Sequence, residues 1–151
     1  MRIVGLDLGS KTIGVAVSDE EGIIALPLRT LSRRGGKADL NEVAKVLAET
    51  GSEMVVLGLP VQLDGKEGLA ARRVRAFGTA LAADGDRCTV EYWDERFSTT
   101  AAQRMLIEAD LSRKKRKQVV DHVAASLILQ GYLDAQRDDS QGPSDSEAEQ
   151  P

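Results

Sequence analysis

Arg2 to Leu8 and Ile13 to Ser18 are two short apolar runs joined through Gly9-Ser10, and together they predict a β-hairpin. Asp19-Glu20-Glu21-Gly22 is a polar turn. Ile23 to Leu31 continues as a third strand, with Pro27 marking an edge or a bulge because proline cannot donate to a ladder. After the Arg33-Arg34-Gly35-Gly36 loop, Leu40, Val43, Ala44 and Leu47 recur at helical spacing, and Gly51 ends that helix. Met54 to Leu59 is continuously apolar, the pattern of a strand covered on both faces. Beyond a loop from Pro60 to Gly68, a second helix shows Ala70, Val74, Phe77 and Leu81 on one face and Arg72, Arg73 and Arg75 on the other. Arg87 to Trp93 predicts a fifth strand. Thr100 and Gln103 are spaced as a capping box for a third helix that buries Ala102, Met105, Leu106 and Ala109. A charged loop from Asp110 to Lys117 leads to a fourth helix with Val120, Ala124, Leu127 and Gly131 as its inner stripe.

A three-strand meander followed by alternating helices and strands makes an α/β fold, a mixed five-stranded sheet with helices packed on it. The order is that of the ribonuclease H-like topology. With 151 residues and 42% apolar content, one domain over 1–137 is expected. Residues 138–151 are acidic, Ser/Gly/Pro-containing and nearly free of apolar side chains, the composition of a disordered tail.

The net charge of −4 hides a division within the chain. Asp138, Asp139, Asp145, Glu147 and Glu149 all lie in the tail, which has no Lys or Arg; without those five acids, 20 basic residues face 19 acidic ones, a balance of +1. A local basic patch can therefore act on a nearly neutral body. A single cysteine, Cys88, allows neither an internal disulfide nor a multi-cysteine metal cluster, and a cytoplasmic protein is expected. Asp7 interrupts what would otherwise be a signal core, and no long uncharged apolar run predicts a membrane span.

Asp7 is a carboxylate within an apolar strand, where burial alone is costly. Asp94-Glu95 falls at the end of the fifth strand and Asp121 in the first turn of the last helix. Sites in such sheets form beyond the carboxyl ends of parallel strands, where these three positions can converge. Three converging acids need a cation, and Mg²⁺ or Mn²⁺ takes carboxylate oxygens of this kind. Two ions roughly 3.5–4 Å apart would clamp the attacking and leaving oxygens of a phosphodiester displacement. In that arrangement Asp7 bridges the ions, Glu95 and Asp121 each complete one shell, and water is the nucleophile. Taken singly, Asp94-Glu95 reads better as a solvated strand exit paired with Arg96, and Asp121 as a favourable charge at a helix start. Asp64, in the loop after the fourth strand, is a substitute ligand or, with Gly65, a tight turn.

Around this centre, the run Arg113-Lys114-Lys115-Arg116-Lys117 is expected to contact a phosphate backbone, and Lys11 either touches substrate phosphate or serves the hairpin structurally. Arg33-Arg34 and the Arg72/Arg73/Arg75 face are weaker candidates again. An aromatic content of 3% disfavours a base-stacking platform. His122, the one histidine, sits about 100° round the helix from Asp121 and is expected to face elsewhere. Trp93 and Cys88 read as packed residues.

Four ordered motifs carry a resemblance. They are Asp7-Leu8-Gly9-Ser10-Lys11-Thr12-Ile13-Gly14-Val15-Ala16-Val17-Ser18-Asp19, Gly58-Leu59-Pro60-Val61-Gln62-Leu63-Asp64-Gly65, Asp94-Glu95-Arg96-Phe97-Ser98-Thr99, and Asp121 to Gln130. With them the chain resembles the YqgF/RuvX family of pre-16S rRNA nucleases, also described as Holliday-junction-resolvase-like, from Arg2 to about Asp134. The resemblance implies a ribonuclease H-like nuclease that matures the 5′ end of small-subunit ribosomal RNA, with Asp7, Glu95 and Asp121 as catalytic acids. Gln62-Leu63 replaces the commoner Asn-Met, and Phe97 the commoner Leu, changes that bear on substrate fit. The expected partner is structured RNA, a ribosomal precursor. Branched DNA is the rival substrate, a non-catalytic assembly factor the rival function, and a homodimer is allowed.

Overall fold

The computed structural model describes residues 1–83, 88–97 and 122–138. Among these, five strands form one sheet in the order β3-β2-β1-β4-β5: β1 (Ile3–Leu8), β2 (Thr12–Ser18), β3 (Ala25–Ser32), β4 (Met54–Leu59) and β5 (Thr89–Asp94). The first three are antiparallel neighbours, while β4 and β5 run parallel to β1. This is the expected ribonuclease H-like sheet, with β1 at its centre. Helices α1 (Gly36–Thr50) and α2 (Leu69–Ala83) cross over between parallel strands, and α3 spans 122–138. None of these helices is long and apolar enough to cross a membrane.

The sheet separates two cores. Val4, Leu6, Val55, Leu57 and Leu59 pack against Val43, Val46 and Leu47 of α1 and Val74, Phe77 and Leu81 of α2. On the other face Ala16 and Val56 meet Ala125, Ile128, Leu129, Tyr132 and Leu133 of α3. The apolar run of β4 is thus explained by burial on both sides. Gly51 closes α1 in the left-handed conformation, φ 69°, its N–H donating to the Leu47 carbonyl. Pro27 is accommodated twice over, since β3 is an edge strand and its register slips opposite Val15/Ala16, a bulge at that point.

Three helical faces differ from the sequence pattern in detail. In α1, Val46 joins Val43 and Leu47 in the core while Leu40 and Ala44 are half-buried. In α2 the buried alanine is Ala71, and Ala70 is exposed. In α3 burial falls on the neighbouring pairs Ala124/Ala125, Ile128/Leu129 and Tyr132/Leu133, whereas Leu127 and Gly131 are half-buried. A helix lying flat on a sheet buries two adjacent ridges, so a single i, i+4 row understates its inner face. The expected helix at 100–109, the loop at 110–117, Val120 and residues 139–151 lie outside the described residues.

Candidate active site

One row of residues crosses the whole sheet. Thr30 pairs with Gly14 and Gly14 with Asp7; the β1–β4 register, last paired at Leu6–Leu57, carries Asp7 to Gly58, and Gly58 pairs with Trp93. Asp7 therefore stands between two glycines, on positions whose own side chains cannot crowd it. Its face follows from strand alternation. A Cβ on Gly5, two residues earlier, would lie 2.7 Å from Leu129 Cβ, so Gly5 and Asp7 face α3.

Glu95 comes to the same row from the other side. It opens a short 3₁₀ turn, Glu95–Phe97, directly after β5. Its Oε1 lies 2.8 Å from the point where a Cβ on Gly58 would sit, beside Ile128 Cδ1 at 2.5 Å. The absent side chain of Gly58 is thus the space that the Glu95 carboxylate and Ile128 occupy. Asp7 and Glu95 share the α3 face at the carboxyl ends of parallel strands.

The start of α3 is fixed at this level. His122 Nδ1 and Thr30 Oγ1 are 3.0 Å apart, a hydrogen bond to the end of the Asp7 row. Further along, Gln130 clasps the edge strand's approach, accepting from Ala25 N at 2.8 Å and donating to the Ile23 carbonyl at 2.8 Å. The helix is therefore held at two points against β3 and its preceding turn. His122 works as a docking residue here. Asp121, the residue immediately before it, lies outside the described residues, as does the basic run Arg113–Lys117. Among the described residues no group of three metal-ligating side chains gathers. Asp7 and Glu95 put two carboxylates on the same face of neighbouring strand ends, and carboxylate oxygen is the donor type a hard divalent cation takes.

The two acids of Asp94-Glu95 part company. Asp94, of opposite parity to Trp93, is held by Arg96 through Nη2 at 2.7 Å and Nε at 3.0 Å, and accepts the Arg96 N–H at 2.9 Å. That guanidinium holds the Asp94 carboxyl below the usual aspartate range. The local pairing expected for this dipeptide belongs to Asp94, while Glu95 lies over Gly58 on the α3 face. Arg96 also reaches the Gln62 carbonyl at 3.4 Å. The loop it touches is closed by Gln62 N to Lys66 O at 3.0 Å and by Lys66 N to Asp64 Oδ1 at 2.9 Å. Asp64 is a turn residue in this arrangement. Trp93 packs against the α3 core over Gly131, and Cys88 packs at the rim of the other core.

One residue of consequence was not singled out in the sequence. Asp39, in the first turn of α1, is 2% exposed. It accepts from Arg34 N at 2.9 Å, Gly35 N at 3.1 Å and Arg33 Nε at 3.1 Å, and Arg33 in turn donates to the Gly9 carbonyl at 2.8 Å. Arg33 N also donates to the Lys11 carbonyl at 2.9 Å. The turn following Asp7 is therefore anchored to a buried carboxylate through Arg33. Burial pushes the Asp39 carboxyl up, but the Arg34 N–H, the Arg33 guanidinium and the Gly35 N–H outweigh it and leave the group below the ordinary range. A depressed folded-state pKa stabilises above the unfolded value, about 3.9, and that contribution disappears as pH falls through the folded value. Asp39→Asn is expected to cost about 2–4 kcal/mol at pH 7, towards the lower end because Arg33 is partly exposed. Urea unfolding of the two proteins should show that gap at pH 7 and its collapse below pH 4. A gap independent of pH would mean that the carboxylate charge is not what holds the turn.

Comparison with known proteins agrees with this fold. A family model described as RuvX: Holliday junction resolvase matches residues 1–135. A Myxococcus xanthus protein named "Putative pre-16S rRNA nuclease" is 52% identical over 151 residues, covering 99% of each chain. A Ruegeria protein of the same name is 50% identical over 135 residues, covering 89% of this chain and 85% of its own. Among solved structures, T. thermophilus RuvC in complex with a Holliday junction substrate superposes with a TM-score of 0.57 at 17% identity, covering 91% of this chain and 96% of RuvC. The fowlpox virus Holliday junction resolvase gives 0.52 at 17% identity, covering 89% and 99%. At these identities the two structures bear on the fold.

Proposed function

Since the chain belongs to the RuvX family, we propose that it is a divalent-metal-dependent nuclease that trims the 5′ end of pre-16S ribosomal RNA in the cytoplasm. The observation that carries this reading is that the Glu95 carboxylate fills the open position of Gly58, in the sheet row that holds Asp7, on the α3 face at the carboxyl ends of parallel strands. Relatives at about half identity over nearly the whole chain support the substrate. Asp7 and Glu95, with Asp121 as the third acid, would hold Mg²⁺ or Mn²⁺, two ions in the fullest form of the reading. Such ions, when bound, neutralise the phosphodiester and lower the pKa of water. The chain's own part is positioning. Gly14 and Gly58 leave the flanks of Asp7 open, Gly58 admits the Glu95 carboxylate, and the His122–Thr30 and Gln130–Ala25 bonds set the helix that follows Asp121. Asp94 and Arg96 brace the 60–66 loop at the rim. Lys11 and the Arg113-Lys114-Lys115-Arg116-Lys117 run contact phosphate, and the nuclease body is the domain over 1–137.

The test is cleavage of a transcript spanning the 5′ end of 16S rRNA, with Mg²⁺ or Mn²⁺ and with EDTA. Cleavage at the mature end that EDTA removes is the expected result. The family description favours branched DNA as the second reading, so a four-way junction is added as competitor. Preferential cutting of the junction would transfer the substrate to DNA, and tight RNA binding with no cleavage at any metal concentration would leave an assembly factor.

A further inference from the structure

The β1–β2 turn has a second side. Strand alternation turns Leu8 away from α3, and on that face the ends of β1 and β4 open into a pocket of about 530 Å³. Its polar lining comes from three separate elements: Gly9 and Ser10 of the turn after Asp7, Arg33 and Gly35 of the loop before α1, and Arg73 of the first turns of α2, with Pro60 at its rim. Arg33 is a fixed cation in this wall, locked by Asp39 and the Gly9 carbonyl and lying 5.9 Å from the Phe77 ring centroid. Asp39 offsets its charge, so the net positive contribution comes from Arg73. Arg73 is exposed and makes no ion pair among the described residues, unlike Arg75 on the same helix, which is spent on Glu67 at 2.6 Å. Ser10 is exposed as well and adds a hydroxyl.

We infer that this pocket binds a backbone phosphate of the nucleic-acid strand whose neighbouring phosphate reaches Asp7 and Glu95. The inference rests on the nuclease reading for the position of the second phosphate, and the chemistry fits independently. A guanidinium whose charge is not neutralised, a pre-set second guanidinium and a hydroxyl beside a glycine turn are donors for phosphate oxygens, with no base-reading aromatic surface among them. Asp7 and Ser10 are three residues apart along one strand and its turn, at most ~10 Å of chain, so a strand passing over the turn could reach both faces of the sheet end.

The experiment measures binding without turnover. Fluorescence anisotropy of a labelled 20-base-pair RNA duplex, and of the same sequence as DNA, is followed in EDTA from 50 to 300 mM KCl. Wild type is compared with Arg73→Gln, Arg73→Glu and Arg2→Glu, the last an exposed arginine ahead of β1, outside the pocket. Arg73→Gln is expected to weaken binding ~10-fold at 100 mM KCl and to lower the salt slope by about one unit, with Arg73→Glu stronger in both respects. Arg2→Glu should change affinity less than 3-fold. RNA and DNA affected alike would assign the contact to the shared phosphate backbone, and RNA alone to a contact that includes the ribose. Equal losses in Arg2→Glu and Arg73→Glu, an unchanged slope in Arg73→Gln, or no duplex binding by wild type would each overturn the subsite. Metal-dependent cleavage is scored separately. Binding that depends on Arg73 in a protein that never cuts would sink the nuclease reading and leave the phosphate site standing.

Discussion

Asp7→Asn is expected to reduce metal-dependent cleavage by at least ~100-fold while leaving the protein folded. Loss of an outer partner of a metal ligand commonly costs 10- to 100-fold, and Asp7 is placed as a ligand itself, so that range is a floor. The substitution is nearly isosteric and removes one negative charge from a row that also receives Glu95. The increment in thermal midpoint that Mg²⁺ or Mn²⁺ adds in wild type should vanish in the variant, since a ligand stabilises only the state that binds it. Activity in Asp7→Asn equal to wild type would remove Asp7 from the chemistry. A midpoint several degrees lower in EDTA would instead make Asp7 a structural carboxylate, with the lost activity secondary to the fold.

Much of the arrangement around Asp7 was legible in the chain because periodicity reports it directly. The two apolar runs flanking Gly9-Ser10, the doubly buried β4 and the Gly51 stop each depend on local chemistry, and each stands where the pattern puts it. Pro27 announced an edge or a bulge, and β3 shows both. Two features depended on chain segments meeting across the fold. Asp94 and Glu95 are adjacent in sequence, and their roles separate only because strand alternation turns Asp94 towards Arg96 while the 3₁₀ turn carries Glu95 over Gly58. Asp39 looks like any acid in a helix's first turn, where the dipole alone would favour it. Its burial arises when Arg33, Arg34 and Gly35 fold back over it. The one signal available was an acid four residues after the first glycine of Arg-Arg-Gly-Gly, and charge patterning does not distinguish that from a solvated helix start. The third acid, Asp121, and the basic run at 113–117 lie outside the described residues, so their place beside Asp7 remains part of the proposal.

The glycines of the Asp7 row separate packing from chemistry. A Cβ on Gly58 would meet Ile128 Cδ1 at 2.5 Å and Glu95 Oε1 at 2.8 Å, both closer than real Cβ contacts allow. One on Gly5 would meet Leu129 Cβ at 2.7 Å and the Ala125 carbonyl oxygen at 3.2 Å, with no carboxylate among the three nearest atoms. Each substitution to alanine overpacks the same sheet–α3 layer, and each should destabilise by about 1–3 kcal/mol, Gly5→Ala towards the upper end because it presses on helix backbone as well as on a side chain. Their effects on catalysis should part. Gly58→Ala must displace the Glu95 carboxylate, and a misplacement near 1 Å in a reacting group can cost ~100-fold, so its activity should fall at temperatures where the protein is fully folded. Gly5→Ala should retain activity to within a few-fold under the same conditions. Urea midpoints with cleavage rates at 20 °C for the two variants decide the matter. Equal losses of activity at equal stability would mean that the α3 face responds as one packed unit, with Glu95 owing its position to α3 rather than to the opening above Gly58.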